Sequence, residues 1–193
     1  MTLGEIRFDW QGPFALAPDQ QYPLVYDQPG ADGPGLYLWI TQVDDRPYLH
    51  YVGIASQSGS LAQRQREHMS KYLSGHYTLY DPALFRQGEK RVLFSKDHAH
   101  SFNDFLGNLR DYQQAALQLA GCMRVYLCRL DSDKPWLERI ESAVIRQLRE
   151  AQGEAAKMLD NLRLSRWVEE AERVRVSTKG WPDYAGKPAW LAV

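Results

Sequence analysis

The chain has 193 residues, 44% of them hydrophobic and 24% charged, with 14 Gly, 10 Pro and 2 Cys. A chain of that make-up is long enough to bury its own core, so it needs neither disulfides nor a structural metal to fold. No run approaches the roughly 18 apolar residues of a spanning helix, and Met1-Thr2-Leu3-Gly4-Glu5 lacks the basic, then apolar, start of a secretory signal. The expectation is a reduced, cytoplasmic protein with no membrane partner. The formal net charge of -1 argues against a general nucleic-acid coat. Its distribution is uneven, however. Residues 1–50 carry 2 basic and 7 acidic side chains, so the remaining 143 residues hold a net basic excess. A phosphate-bearing partner is therefore expected to meet the later part of the chain.

In chain order, residues 1–34 are rich in Pro, Gly, Asp and Gln, with apolar clusters at Phe8, Trp10, Phe14 and Leu24-Val25-Tyr26. They read as an N-terminal extension packed on the main body. Two β-like runs follow, 35–41 and 48–54, joined by the polar segment Gln42 to Pro47, which predicts a hairpin with a medium loop. Pairing Thr41 with Pro47 would set Tyr37 directly opposite Tyr51. Ser58-Gly59-Ser60 supplies a helix start, and Leu61 to Leu73 has helical periodicity. Its wheel buries Leu61, Met69, Tyr72 and Leu73, groups Arg64, His68 and Lys71 along one edge, and leaves Arg66 on the far border.

Within 74–120, Lys90 to Ser95 suits a strand, and Ser101 or Asn103 suits the cap of a helix running to about Ala120. Asp97-His98-Ala99-His100 invites a zinc reading, but ligands at finger-like spacing are missing and a solvated loop fits better. Arg124 to Leu130 is a strand candidate. Cys122 and Cys128, placed in the same extended run, would be roughly 20 Å apart and could not pair. Lys134-Pro135 opens a helix expected to reach Ala151. A further helical stretch is expected around Val168 to Val174, and the tail from Lys179 is irregular but aromatic.

Gly35-Leu36-Tyr37, then Tyr51-Val52-Gly53, then Arg64-x-x-x-His68 on the next helix, resembles the GIY-YIG nuclease family. The resemblance implies a small α/β (α+β) fold: a three-stranded mixed sheet (35–41, 48–54, 122–130) flanked by helices. It makes 35–165 the nuclease domain, with an insertion at 74–120 and extensions at 1–34 and 166–193. It also implies a later helical Glu and a subsequent Asn, which Glu141 and Asn161 match, with Asn103 and Asn108 as alternatives for the latter.

Glu141 has support of its own. It falls inside the apolar stripe Leu137, Ile140, Val144, Ile145 and Leu148, where a carboxylate is costly unless paired or bound to a cation. Glu138 falls at the stripe's margin. The reaction the resemblance implies, phosphodiester hydrolysis, needs an in-line water, charge stabilisation and a neutralised leaving oxygen. Glu141 would hold one Mg²⁺ or Mn²⁺, Arg64 would grip a nonbridging oxygen, and Tyr37 or His68 would serve as base. Cationic surroundings are expected to lower the Tyr37 pKa. Tyr51 and Asn161 would position the site, and Arg66, Lys71, Lys90 and Arg91 would contact nucleic acid. The expected partner is DNA, with an RNA nuclease or an inactive nucleic-acid-binding module as the alternatives.

Overall fold

The computed structural model describes residues 8–56, 59–96, 101–151, 153–161 and 174–193. The main sheet is built from β1 (Trp10–Ala15), β2 (Gly35–Val43), β3 (Arg46–Ala55) and β6 (Met123–Arg129), in the order β1-β6-β2-β3. Every pairing in it is antiparallel. The mixed α/β class holds, but the sheet has four strands instead of three and is not mixed in direction. The extra strand comes from the N-terminal segment. β1 contains Gly12-Pro13, which read as loop in sequence; proline is tolerated because β1 is an edge strand.

Between these strands lie α1 (Leu61–Leu73), β4 (Leu79–Tyr80), α2 (Pro82–Arg86), β5 (Val92–Phe94), α3 (Phe102–Gly107) and α4 (Leu109–Gly121). After β6 come α5 (Lys134–Ala151), β7 (Arg175–Ser177) and β8 (Trp190–Ala192), the last two forming a hairpin. α1 and α5 span the expected residues. Ser60 caps α1 by accepting from the Gln63 backbone N–H. The single helix expected from Ser101 to Ala120 is instead two. Ser101 and Asp104 form a capping box on α3, and Asn108 leaves helical geometry with its amide bonded back to the Asp104 carbonyl at 3.0 Å. Cys122 caps the end of α4 rather than lying in the strand, and both cysteines are free. The expected Val168–Val174 helix, all but Val174, and the Asp97–His100 segment lie outside the described residues.

The β2–β3 hairpin turns more tightly than expected. Val43 pairs with Arg46 across the two-residue turn Asp44-Asp45, both at positive φ (49° and 60°), a conformation that Asp tolerates better than most side chains. A bulge then interrupts the ladder: Trp39 faces Tyr51 while Ile40 faces Leu49, leaving His50 as the extra residue. The expected register is thereby corrected. Tyr37 faces Gly53, and its ring stacks diagonally on Tyr51 at 6.0 Å between centroids.

Period-two alternation gives the sheet two buried faces. Tyr37, Trp39, Val125 and Leu127 join the layer that includes α1 and α4, whereas Leu36, Leu38, Ile40 and Val52 join α5 and the C-terminal hairpin. Both chain ends complete the second layer: Phe8 and Trp10 pack edge-on against Trp181 at 5.0 and 5.1 Å. The aromatic tail is thus a core element. Among the described residues no helix is long and apolar enough to cross a membrane.

Candidate active site

Where Ile54, Ala55 and Ser56 lead out of β3, a cavity of about 470 Å³ opens beside the N-terminal turns of α1 and α5. Its walls include Tyr37 and Tyr51 from the hairpin, Ser60, Gln63, Arg64 and Glu67 from the start of α1, and Lys134, Glu138 and Glu141 from α5. The Leu61 and Gln63 N–H groups at the start of α1 are taken by the Gly33 carbonyl and the Ser60 hydroxyl, and that of Trp136 on α5 by Asp133, so the positive charge offered to an anion comes from the Arg64 and Lys134 side chains.

The hairpin geometry explains both glycine-bearing motifs. A Cβ on Gly53 would lie 2.2 Å from the Tyr37 hydroxyl and 2.9 Å from the Tyr51 ring. Tyr37 is fully buried, and any side chain at this position would have to displace its ring, so only glycine leaves the ring in place. A Cβ on Gly35 would lie 2.1 Å from the Cys128 carbonyl oxygen across the β2–β6 ladder.

Tyr37 Oη is 2.5 Å from His68 Nε2, and the other ring nitrogen of His68 is 2.9 Å from Tyr77 Oη. Trp39 donates to Gln65 at 2.8 Å one turn earlier on α1, fixing the helix against the sheet. His68 is only 1% exposed; burial, with help from Arg64 and Lys71, lowers its pKa to about 3. It is therefore a neutral imidazole at ordinary pH. Burial likewise drives the Tyr37 phenol well above its ordinary pKa, with Tyr51 adding to the rise and Arg64 opposing it. Tyr51 is raised to about 12 by burial first and then by Glu141 and Tyr77. The expectation that cations would lower the Tyr37 pKa is thus overturned: desolvation outweighs Arg64.

Arg64 pairs with Glu67 at 2.9 Å, both side chains partly exposed. Burial works against its charge, but Tyr37 and Glu67 outweigh burial and hold the guanidinium firmly ionised. Lys134 pairs with Glu138 at 3.3 Å. Glu141 is half-buried and lines the cavity instead of sitting within the apolar stripe, whose buried members are Leu137, Ile140, Val144, Ile145 and Leu148. Among the described residues no group of three or more His, Cys, Asp or Glu side chains forms a metal cage.

Asn161 does not line the cavity. Its amide accepts from the Val52 N–H at 2.9 Å and donates to the Val52 carbonyl at 2.8 Å, serving the outer edge of β3 as a missing strand would. Asn103 and Asn108 are exposed on the 74–120 segment, also away from the cavity. None of the four expected nucleic-acid contacts lines it either. Arg66 bonds the Tyr26 carbonyl and reaches Asp27, Lys71 lies over the Tyr77 ring at 5.6 Å, Lys90 donates to the Leu159 carbonyl, and Arg91 pairs with Asp81.

Sequence reasoning missed Lys134 and Glu67 as wall residues and Tyr77 as the second partner of His68. Lys134 carried a readable signal, because the Lys-Pro start of α5 put a cation at a helix N-terminus. Tyr77 carried none, since it follows α1 in an irregular segment. Comparisons with protein-family models, curated proteins and solved structures found no match to this chain.

Proposed function

We propose that this protein is a divalent-metal-dependent endonuclease of GIY-YIG type that hydrolyses phosphodiester bonds in DNA. The observation that carries the reading is the convergence of Tyr37, Tyr51, Arg64 and Glu141 on one cavity from β2, β3, α1 and α5, with His68 bonded behind Tyr37. Local packing alone does not require a phenol, a guanidinium and a carboxylate to meet beside two helix N-termini.

Arg64 exchanges part of its bond to Glu67 for a nonbridging phosphate oxygen, to which its planar fork is suited. Tyr37 and Tyr51 hold the attacking water, and His68 orients the Tyr37 hydroxyl. Lys134 adds a second cation for the phosphate. Glu141, on the same wall as Arg64 and Lys134, would hold one Mg²⁺ or Mn²⁺. A hard oxygen donor in an open cavity suits either ion, since water and phosphate oxygens could supply its remaining ligands. When bound, the ion supplies charge neutralisation at the phosphate and the leaving oxygen. Asn161 acts at one remove, by holding β3 and hence Tyr51 and Gly53.

The position of Asn161 outside the cavity favours a second reading, a binding module of the same fold without cleavage. Incubation with supercoiled plasmid and with structured RNA, each with Mg²⁺ or EDTA, decides between them. The nuclease reading expects nicked or linear plasmid with Mg²⁺ only, and Glu141→Gln that folds and binds DNA but does not cut. DNA bound and left intact by the wild type favours the module; RNA cut in preference to plasmid assigns an RNA nuclease.

A further inference from the structure

His68 stands between two phenols. Tyr37 Oη lies 2.5 Å from Nε2 and Tyr77 Oη lies 2.9 Å from Nδ1. A neutral imidazole has one N–H, so it accepts from one phenol while donating to the other. With the proton on Nδ1, Tyr37 donates to Nε2 and keeps a lone pair for the cavity. With it on Nε2, Tyr77 donates to Nδ1 and the Tyr37 hydroxyl proton is released to the cavity side.

The two phenols border different spaces. Tyr37 lines the 470 Å³ cavity described above. Tyr77 and His68 line a second one, of about 270 Å³, whose walls also carry His76, Lys96 and Asp160. The three side chains form a hydrogen-bonded line from one cavity to the other.

Resting on the hydrolytic reading above, we propose that Tyr77 is the outer member of a proton relay that passes the attacking water's proton through Tyr37 and His68 to solvent in the second cavity. The shift starts with the proton on Nδ1. As the water oxygen bonds to phosphorus, its proton passes to Tyr37 Oη and the Tyr37 proton passes to Nε2. The Nδ1 proton moves to Tyr77 Oη, and the original Tyr77 proton leaves to water in the second cavity. The bond from phosphorus to the leaving oxygen breaks, that oxygen keeps the electron pair, and it takes a proton from solvent. Both phenols end intact and the imidazole ends neutral in its other tautomer; the reverse shift, after product departs, resets it.

The surroundings disfavour any charged intermediate. Facing His68 are Arg64 and Lys71 from its own helix, Tyr37 from β2, Tyr51 from β3, and Tyr77. Burial and the two cations keep the imidazole from accepting a proton outright, with its pKa lowered to about 3. Arg64 and Glu67 also face Tyr77, and burial raises its phenol above the ordinary value. A concerted shift needs neither tyrosinate nor imidazolium, and it needs a donor and acceptor at both ring nitrogens.

The test is single-turnover plasmid cleavage with Mg²⁺, from mildly acidic to alkaline pH, by wild type, Tyr77→Phe, His68→Gln and the double variant. Tyr77→Phe should lower the rate by about 10²-fold or more, as for loss of a general acid–base group, with DNA affinity unchanged. Its rate should climb with pH where the wild type is level, and added imidazole should restore part of it. The double variant should lose no more than the worse single one, because the groups act as a unit. A Tyr77→Phe variant with the wild-type rate overturns the relay. So does one that loses rate with an unaltered pH profile and no response to imidazole, or a double variant whose losses multiply. A wild type that does not cleave at all overturns the hydrolytic reading, and the relay with it.

Discussion

Two residues apart on α1, Arg64 and Arg66 have opposite surroundings. Arg64 lines the cavity with its guanidinium on Glu67, whereas Arg66 reaches back to the Tyr26 carbonyl and Asp27 with more than half of its side chain exposed. Arg64→Ala should therefore lower cleavage by about 10²–10³-fold, the usual consequence of deleting one donor to transition-state charge. Arg66→Ala should keep most of the activity and change stability by no more than about 1 kcal/mol, as for exposed pairs. Equal losses in single-turnover rate would show that the arginine at the cavity is not the one that grips phosphate. The helical wheel separated these two positions correctly. It did not show that Glu67, one turn along from Arg64, already occupies the guanidinium, because an i,i+3 pair on a half-exposed face looks the same in sequence whether or not a cavity adjoins it.

At the level of elements, β3 is the edge strand that carries Tyr51 and Gly53, and its outer edge at Val52 is finished by the Asn161 side chain rather than by a further strand. Asn161→Ala leaves a buried N–H and a buried carbonyl without their partners. The expected destabilisation is about 1–3 kcal/mol, read from urea unfolding, with a smaller loss of cleavage at low temperature than Arg64→Ala shows. Unchanged stability together with abolished cleavage would make Asn161 a direct participant in the reaction. The helices were legible because α1 and α5 have helical periodicity and clear starts at Ser60 and Lys134, although the buried face of α1 also carries the polar Gln65 and His68. The strands were legible only as runs. Their register depended on a two-residue turn at Asp44-Asp45 and a one-residue bulge at His50, and neither leaves a mark in hydrophobic alternation. β1 was hidden by Gly12-Pro13, and Asn161 was legible as a residue type but not as a strand clamp.

Over the whole molecule, the N-terminal and C-terminal segments are structural parts of the domain. β1 pairs with β6, and Phe8, Trp10 and Trp181 close the layer that also holds α5. The cavity is thus braced by residues from both chain ends, and anything that loosens the two buried layers loosens the site. Two uncharged histidines link that global stability to pH. His50 and His68 are both buried, and burial lowers the pKa of each, to about 3 for His68. In the unfolded chain each titrates near its ordinary 6.5, so below that pH the unfolded state binds protons that the folded state refuses. Stability from His68 is therefore complete above pH 6.5 and declines as the pH falls toward 3, by about 1.4 kcal/mol per unit. His50 adds to the same decline. Urea midpoints should be level from 6.5 up to the onset of Cys and Tyr ionisation in the unfolded chain near 9, and fall on the acid side of 6.5, before the exposed carboxylates titrate. His68→Gln, which keeps a polar side chain but binds no proton, should fall less steeply than wild type over that range. Parallel wild-type and variant curves would mean that His68 takes up its proton in the folded state as readily as in the unfolded chain, and that the aromatic enclosure around it does not keep the imidazole neutral.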